Sequence, residues 1–479
     1  MRMSHAQMYT RVLASDASYN GRFFFGVTST GIYCLPSCKA RKPKPENVLF
    51  FPTCEAARSA GLRSCRKCHP DDFARGSDPV LEDIEALVAE IRANPSAFAD
   101  ARAVVRRSGF GSTRLFELFR QHYHTTPADL LLRSRIGAAS QQLLAGQTGL
   151  AEIAADAGFE SLSVFHEQFR RLNGLTPSHY RGLTNARDFV IDLPLNYPLP
   201  YLRRALSRDV HSLTERLSGD AYEAVVWLGE EPATLCLRIS PAQVHVGLSG
   251  AADTPSPAVA AHALVIGQLG LDQDAAAFSR LAIRLGLARL VKGRTELRIS
   301  QTPSVFDGLM WSIIGQQINL TFASALRRRL IERTGTKMAG GLYAPPTAAA
   351  VARLEPVDLL PLQFSHQKSG YLVATARLVA EGKLDLAALK TMSATRAERT
   401  LLAIRGLGPW SVNYLMMRSL GFPDCVPLGD TGVTSGLQAL LKLEERPDLD
   451  ATRRLMAVFS PYRSLATAHL WQFNQPLPI

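Results

Sequence analysis

No stretch of this 479-residue chain approaches the ~18 consecutive apolar residues that a bilayer-spanning helix needs, so none is predicted. The first seven residues, Met1 to Gln7, hold no apolar core of a secretory leader, so secretion has no support and a soluble, cytoplasmic protein is expected. Low-complexity tracts are missing as well. Cysteine is scarce and odd in number, seven in all, which disfavours a disulfide framework. Acidic residues are outnumbered: 42 Asp and Glu stand against 54 Lys and Arg, a formal charge of +12. That surplus favours a polyanionic partner. The length corresponds to roughly three domains by the usual size prior, and 46% hydrophobic residues suffice for ordinary cores.

Four of the seven cysteines cluster. Cys34 and Cys38 are separated by three residues, Cys65 and Cys68 by two, and 26 residues lie between the pairs. Two short loops that each present two sulfurs suit tetrahedral Zn²⁺, and a metal can organise a first domain of about 75 residues without a large core. Spacing alone favours a purely structural zinc site. Cys54 lies outside the pairs and reads as a bystander, and Cys236 and Cys425 read as packed thiols.

The surrounding residues add to this. The run Tyr19 to Pro43, which contains Gly31-Ile-Tyr-Cys34 and Cys38-Lys-Ala-Arg-Lys, together with Gly61-Leu-Arg-Ser-Cys65-Arg-Lys-Cys68, closely resembles the zinc domain of the Ada family over residues 5 to 75. That resemblance implies a domain that accepts methyl groups from DNA phosphotriesters, with Cys34 as the nucleophile and the other three cysteines as zinc ligands beside it. Lys39, Arg41, Lys42, Lys44, Arg63, Arg66 and Lys67 surround the cluster in sequence, where they would face DNA and favour thiolates.

Beyond Asp78-Pro79 the apolar spacing turns helical, and an internal repeat appears. Gly109-Phe110 recurs as Gly158-Phe159, Phe119-Arg120 as Phe169-Arg170, and Thr126-Pro127 as Thr176-Pro177, a period of 49 to 50 residues. Each unit reads helix, tight turn, helix. Residues 80 to 182 resemble the AraC-type DNA-binding domain, which implies two reading helices over 112–121 and 161–171, with Glu160, Ser161, Ser163 and His166 nearest the bases. The bland alternative is a helical bundle with those residues merely solvated.

From Asp188 strand-like alternation (189–193, 223–228, 234–239, 243–248) mixes with a predicted helix over 202–217, an α+β subdomain. Past Pro303 the pattern is helical to Trp471. Within it, Leu401-Leu-Ala-Ile-Arg-Gly406-Leu-Gly408-Pro-Trp410 precedes Leu428-Gly-Asp430-Thr by one helix and a loop. Gly406 and Gly408 can take φ > 0 and leave the backbone N–H groups open to a phosphate where the next helix begins.

Residues 188 to 479 resemble the alkylbase DNA glycosylases of the helix-hairpin-helix superfamily, the 3-methyladenine glycosylase II type. The resemblance implies Asp430 as catalytic carboxylate, Gly406 and Gly408 as backbone phosphate grips, and Trp410, Tyr414 and Trp471 as walls of a base pocket. Gln317 stands where this family inserts an apolar wedge into the flipped-base gap. Where strand-cleaving relatives carry a lysine, this chain has Trp410, so no lyase activity is expected; no cysteine follows Cys425, so no iron–sulfur loop is expected. Asp430 also suits a helix N-cap, a role compatible with catalysis. Tyr414 alone could be an ordinary core aromatic.

The sequence thus predicts a multidomain α+β protein: a zinc methyl-phosphotriester acceptor domain (1–77), an all-α double helix-turn-helix domain (78–184), an α+β subdomain (187–300) and an all-α helix-hairpin-helix glycosylase domain (301–479). The expected function is an alkylation-damage regulator joined to a monofunctional glycosylase for alkylated purines such as 3-methyladenine. Zn²⁺ is the expected cofactor. Double-stranded DNA, damaged or promoter, is the expected partner, with RNA polymerase as a further contact, and the chain is expected to be monomeric. The alternative is a DNA-binding regulator whose C-terminal half binds without catalysis. No Pro-Cys-His-Arg motif of the O6-methylguanine acceptors is present.

Overall fold

A computed structural model describes residues 3–16, 19–76, 78–473 and 475. The outer domain limits 1, 77 and 479 lie outside the described residues. The chain forms two compact units, Met1–Glu90 and Ile91–Ile479.

The first unit contains α1 (His5–Leu13), β1 (Phe24–Val27), β2 (Ile32–Cys34), β3 (Val48–Phe51), α2 (Cys54–Ser59), β4 (Arg63–Ser64) and α3 (Pro70–Ala74). The sheet order is β3-β1-β2-β4. β1 pairs antiparallel with β2 and β3, and β4 pairs parallel with β2. The parallel register, Tyr33 opposite Ser64, places Cys34 and Cys65 side by side just beyond it. Gly26 has no room for a side chain, because a Cβ there would stand 2.2 Å from Leu62. Helix α4 (Pro79–Ala93) spans the boundary between the units.

The second unit opens with α5 (Ala101–Ser108), α6 (Ser112–Tyr123), α7 (Pro127–Ala145), α8 (Leu150–Asp156), α9 (Leu162–Asn173) and α10 (Pro177–Gly182). The sequence repeat is a packing repeat. Leu115 and Phe119 of α6 are fully buried, and so are Phe165 and Phe169, fifty residues on in α9. The turns before the two second helices each use a glycine with positive φ, Gly109 at 69° and Gly158 at 89°.

Then follow β5 (Asp188–Asp192), α11 (Leu199–Leu206), β6 (Glu215–Ser218), β7 (Ala221–Leu228), β8 (Glu231–Ile239), β9 (Gln243–Gly250) and α12 (Pro257–Leu269). The five strands form an antiparallel sheet in the order β5-β9-β8-β7-β6. Four strands lie where alternation predicted them. The helix predicted over 202–217 ends at Leu206, and Glu215–Ser218 is an edge strand. Gly219, at φ 57°, turns this strand into β7, and Arg216 reaches across the hairpin to Glu223 at 2.5 Å. Cys236, read as a packed thiol, is exposed, because alternation along β8 sends it to the outer face.

One apolar core runs without interruption from Ile136, Phe165 and Phe169 of the helix-turn-helix segment to Ile191, Leu235, Val246 and Val265 of the sheet and α12. The His262 ring Nε2 lies 2.7 Å from the Asn173 carbonyl and packs edge-on against Tyr180. Gly174, the C-cap of α9, sits against Ile191 so closely that a Cβ would come within 2.6 Å.

The helical remainder comprises α13 (Ala275–Arg284), α14 (Ala288–Val291), α15 (Val305–Ile314), α16 (Leu320–Thr334), α17 (Ala348–Ala352), α18 (His366–Ala380), α19 (Leu386–Thr391), α20 (Ala394–Leu402), α21 (Pro409–Arg418), α22 (Thr431–Leu441), α23 (Leu449–Ala457) and α24 (Arg463–Phe473), with a two-stranded ribbon at Thr336–Lys337 and Tyr343–Ala344. These helices share a second large core around Leu309, Ile313, Leu372, Leu401, Leu415 and Leu437. Among the described residues, no helix is long and apolar enough to cross a membrane.

Candidate functional site

Helices α20 and α21 flank the hairpin 403–408. Gly406 has φ 98°, and a Cβ there would stand 2.4 Å from the Tyr371 ring, so only glycine lets Tyr371 close over the peptide. Gly408 was expected to share that freedom, but its φ is −95°; it is the N-cap of α21, and a Cβ on it would meet nothing within 4 Å. Its lack of a side chain therefore serves the open space in front of the helix N-terminus, where N–H groups face outward. Gln316, just past α15, donates to the Gly406 carbonyl at 2.8 Å and to Ser411 Oγ at 2.9 Å, which ties the hairpin to the next residue's turn. That next residue is Gln317, exposed, with φ 57°.

Along α21, Trp410, Tyr414 and Arg418 recur at four-residue spacing and share a face. Asp430 caps α22, and its Oδ1 accepts from Val433 N at 3.0 Å. The same oxygen accepts from Trp471 Nε1 at 2.9 Å, and Oδ2 accepts from Trp410 Nε1 at 3.1 Å. The carboxylate is both the predicted cap and the centre of the aromatic cluster. Trp410 and Tyr414 stack at 5.3 Å and 19°, and Tyr414 meets Trp471 at 6.1 Å and 43°. A planar base slipped between two rings needs about 7 Å, twice an ordinary contact distance. Trp410 and Tyr414 therefore form one continuous stack with no room for a third ring between them.

Sequence reasoning missed three members of this site. Trp311 on α15 donates from Nε1 to Tyr414 Oη at 3.1 Å. Arg418 lies against the Tyr414 phenol; burial, then the neighbouring Arg208, push its guanidinium down to about 10. Gly432 gives Trp471 its approach, since a Cβ would stand 2.7 Å from the indole and 3.1 Å from Asp430 Oδ1. A glycine in the first turn of a helix, and a rare tryptophan five residues before Gln316, were the available signals. His469, two residues before Trp471, is a buried core residue held against Leu290 O and pushed down to about 3 by burial.

In the first unit the sulfurs of Cys34, Cys38, Cys65 and Cys68 lie within 4.8 Å of one another. Four thiolates at that separation fit Zn²⁺, whose Zn–S bonds of about 2.3 Å require such a cluster. They form the chain's zinc site. Cys65 accepts from Lys67 N at 3.4 Å, Cys68 from Leu35 N at 3.3 Å, and Cys38 from the Ala40 backbone. Lys42 is partly buried and donates to Cys38 O and Ser15 Oγ, whereas Lys39, Arg41, Lys44, Arg63, Arg66 and Lys67 are exposed. Cys54 is separate: it donates to Pro70 O, and burial pushes its thiol up to about 11.

On the helix-turn-helix segment Glu160, Ser161 and Ser163 are exposed and His166 is half-buried against Phe165. Ser161 caps α9, accepting from Val164 N. Leu162 and Val164 are the exposed apolar residues of the same turn.

Three families match successive parts of the chain: the metal binding domain of Ada at residues 7–71, a helix-turn-helix domain at 104–182, and the HhH-GPD superfamily of base excision DNA repair proteins at 310–461. A DNA-3-methyladenine glycosylase of Bacillus subtilis is 35% identical over 179 residues, 37% of this chain and 59% of that protein, so the match spans little more than half of that relative's length. A probable bifunctional transcriptional activator/DNA repair enzyme AlkA of Mycobacterium tuberculosis is 28% identical over 486 residues, covering 97% of this chain and 95% of its own. Among solved structures, the 3-methyladenine DNA-glycosylase from Archaeoglobus fulgidus superposes over 60% of this chain and 98% of its own with a TM-score of 0.52 and 20% identity, which establishes the fold.

Proposed function

We propose a function for a chain that carries, in order, an Ada-type zinc domain, a helix-turn-helix domain and a base-excision domain of the helix-hairpin-helix superfamily: it senses methylated DNA phosphates, regulates transcription, and excises alkylated purines. The limits 1–77, 78–184, 187–300 and 301–479 are the proposed parts. The observation that carries the excision reading is the Asp430 carboxylate, fixed by two indole N–H groups beside the hairpin.

The target nucleotide leaves the stack, with Gly406 and Gly408 holding its strand and Gln317 at the gap. Alkylation at N3 or N7 places positive charge on the purine and weakens the glycosidic bond. The outer faces of Trp410 and Trp471 favour that cation by roughly 0.5–2 kcal/mol each, and Tyr414, buried between them, backs the pair as a core aromatic. As the bond breaks, its electron pair leaves with the base, and Asp430 stabilises the oxocarbenium-like sugar and orients the attacking water. With both oxygens anchored, the charge is already in place when the sugar needs it. No amine stands at position 410, so the reaction stops at the abasic site. Asp430→Asn should lower 3-methyladenine release by at least 100-fold while abasic-DNA affinity stays within a few-fold; undiminished release would overturn the assignment.

In the zinc domain Cys34 is the proposed methyl acceptor. Cys34, Cys38, Cys65 and Cys68 would hold Zn²⁺, which when bound would keep their thiolates deprotonated at neutral pH. Cys34 is the first of the four cysteines in the chain, the position to which the resemblance to the Ada zinc domain assigns the acceptor. Its Sγ forms a bond to the methyl carbon as the methyl–oxygen bond breaks, and the phosphate leaves as the diester anion. The thiolate becomes a neutral thioether, so the site loses one negative charge facing DNA, worth about 1–4 kcal/mol at ~4 Å. Damage would thereby tighten promoter binding through the reading helices and Glu160, Ser161, Ser163 and His166, with RNA polymerase recruited by a cytoplasmic monomer. DNA bearing a labelled methyl phosphotriester should leave its label on Cys34; label found elsewhere, or none, would leave the zinc site purely structural.

A further inference from the structure

Helix α6, the first reading helix, and α20, the helix that leads into the hairpin, belong to the same compact unit and touch. The buried His122 of α6 places its Nδ1 2.9 Å from Thr395 Oγ1 of α20. Arg92 donates to the Thr391 carbonyl at 2.6 Å while its guanidinium lies over the Tyr123 ring, and the His124 ring meets Phe422 edge-on at 5.7 Å. Only the C-terminal end of α6 is used this way. Ser112, Thr113, Arg114, Glu117, Arg120 and Gln121 remain exposed on the same helix.

The joint also limits a distance. α6 has 12 residues and α20 has 9, so the path from the first turn of α6, across the joint and along α20 to the hairpin is at most about 40 Å. B-form DNA advances about 34–36 Å per turn, so both motifs can reach the same duplex. Charge follows the same path. Arg399 lies one turn beyond Thr395 on α20, and Arg120 of α6, Arg399 and the hairpin's Arg405 are all exposed.

We propose that α6 and the hairpin grip one duplex together, so that the protein bound at a lesion covers DNA asymmetrically, reaching about one helical turn beyond the flipped nucleotide on one side only. This rests on the reading of the hairpin as the excision site's strand grip. A second contact at a fixed offset acts intramolecularly and adds affinity without conformational search.

The test uses the full zinc-loaded chain and duplexes carrying a tetrahydrofuran abasic analogue, with one flank held at about 6 base pairs and the other lengthened. Extending one flank, 5′ or 3′, to about 16 base pairs should tighten Kd at least tenfold, and extending the other should change it less than threefold. The doubly substituted Arg120→Ala, Arg399→Ala protein should lose most of the one-sided gain. Equal gains on both sides, no gain, or a one-sided gain that survives in the double variant would overturn the proposal. No preference for abasic over undamaged duplex at any length would instead defeat the excision reading beneath it.

Discussion

Two indole N–H groups meet the Asp430 carboxylate, one on each oxygen, so ring and donor can be separated by substitution. Trp410→Phe and Trp471→Phe keep an aromatic face and delete the donor. A hydrogen bond to a charged group contributes about 1.5–3 kcal/mol, so each change should slow single-turnover base release roughly 10- to 100-fold with little effect on DNA affinity. An unchanged rate would mean that the indoles only pack. Gly432→Ala makes the complementary test: its Cβ would push Trp471 off Asp430, and release should fall while the ring and its N–H are both retained. That Asp430, Trp410 and Trp471 come together was expected from the resemblance of their motifs to the glycosylases, and their three-way contact is what the structure adds. The Trp311 contact was not expected, because it crosses between helices, and Arg418, one turn beyond Tyr414 on the same helix, reads in sequence as an ordinary surface cation.

The two hairpin glycines differ at the scale of the element. Gly406→Ala meets both a left-handed φ and the Tyr371 ring and should weaken abasic-DNA binding at least tenfold; Gly408→Ala has space in the free protein, so any loss of affinity there measures the approach of the strand itself, by titration with duplex DNA. Gly158→Ala tests the second helix-turn-helix turn. With φ 89° and Ser96 Cα 3.1 Å from the added Cβ, it should cost about 1–3 kcal/mol, read as a lowered Tm. Strands β5, β7, β8 and β9 were legible from alternation. The edge strand β6 was read as part of a helix because apolar spacing over 202–217 fits either period, and only pairing with β7 decides it. The contact between α6 and α20 joins residues more than 270 apart in the chain, and no local pattern encodes it.

Three histidines bear on the whole molecule, because burial keeps each neutral: His124 and His262 are pushed down to about 4 and His469 to about 3. In the unfolded chain they titrate near 6.5, so below that pH the unfolded state binds more protons and stability is lost progressively toward pH 4. At pH 5 each should cost about 2 kcal/mol, so Tm should fall well before the carboxylates titrate; a Tm flat between pH 7 and 5 would contradict their burial. His124 and His262 both sit where the helix-turn-helix segment meets the rest of the unit, so replacing them with Phe should flatten the acid limb most there.

The core that runs from Phe169 to Val246 also decides where the chain can be cut. Parts fused through a linker can be separated again by recombination with each keeping its own interior. Here a break near residue 187 would leave both fragments with a bare apolar face, so neither piece is expected to stay soluble and folded when expressed alone.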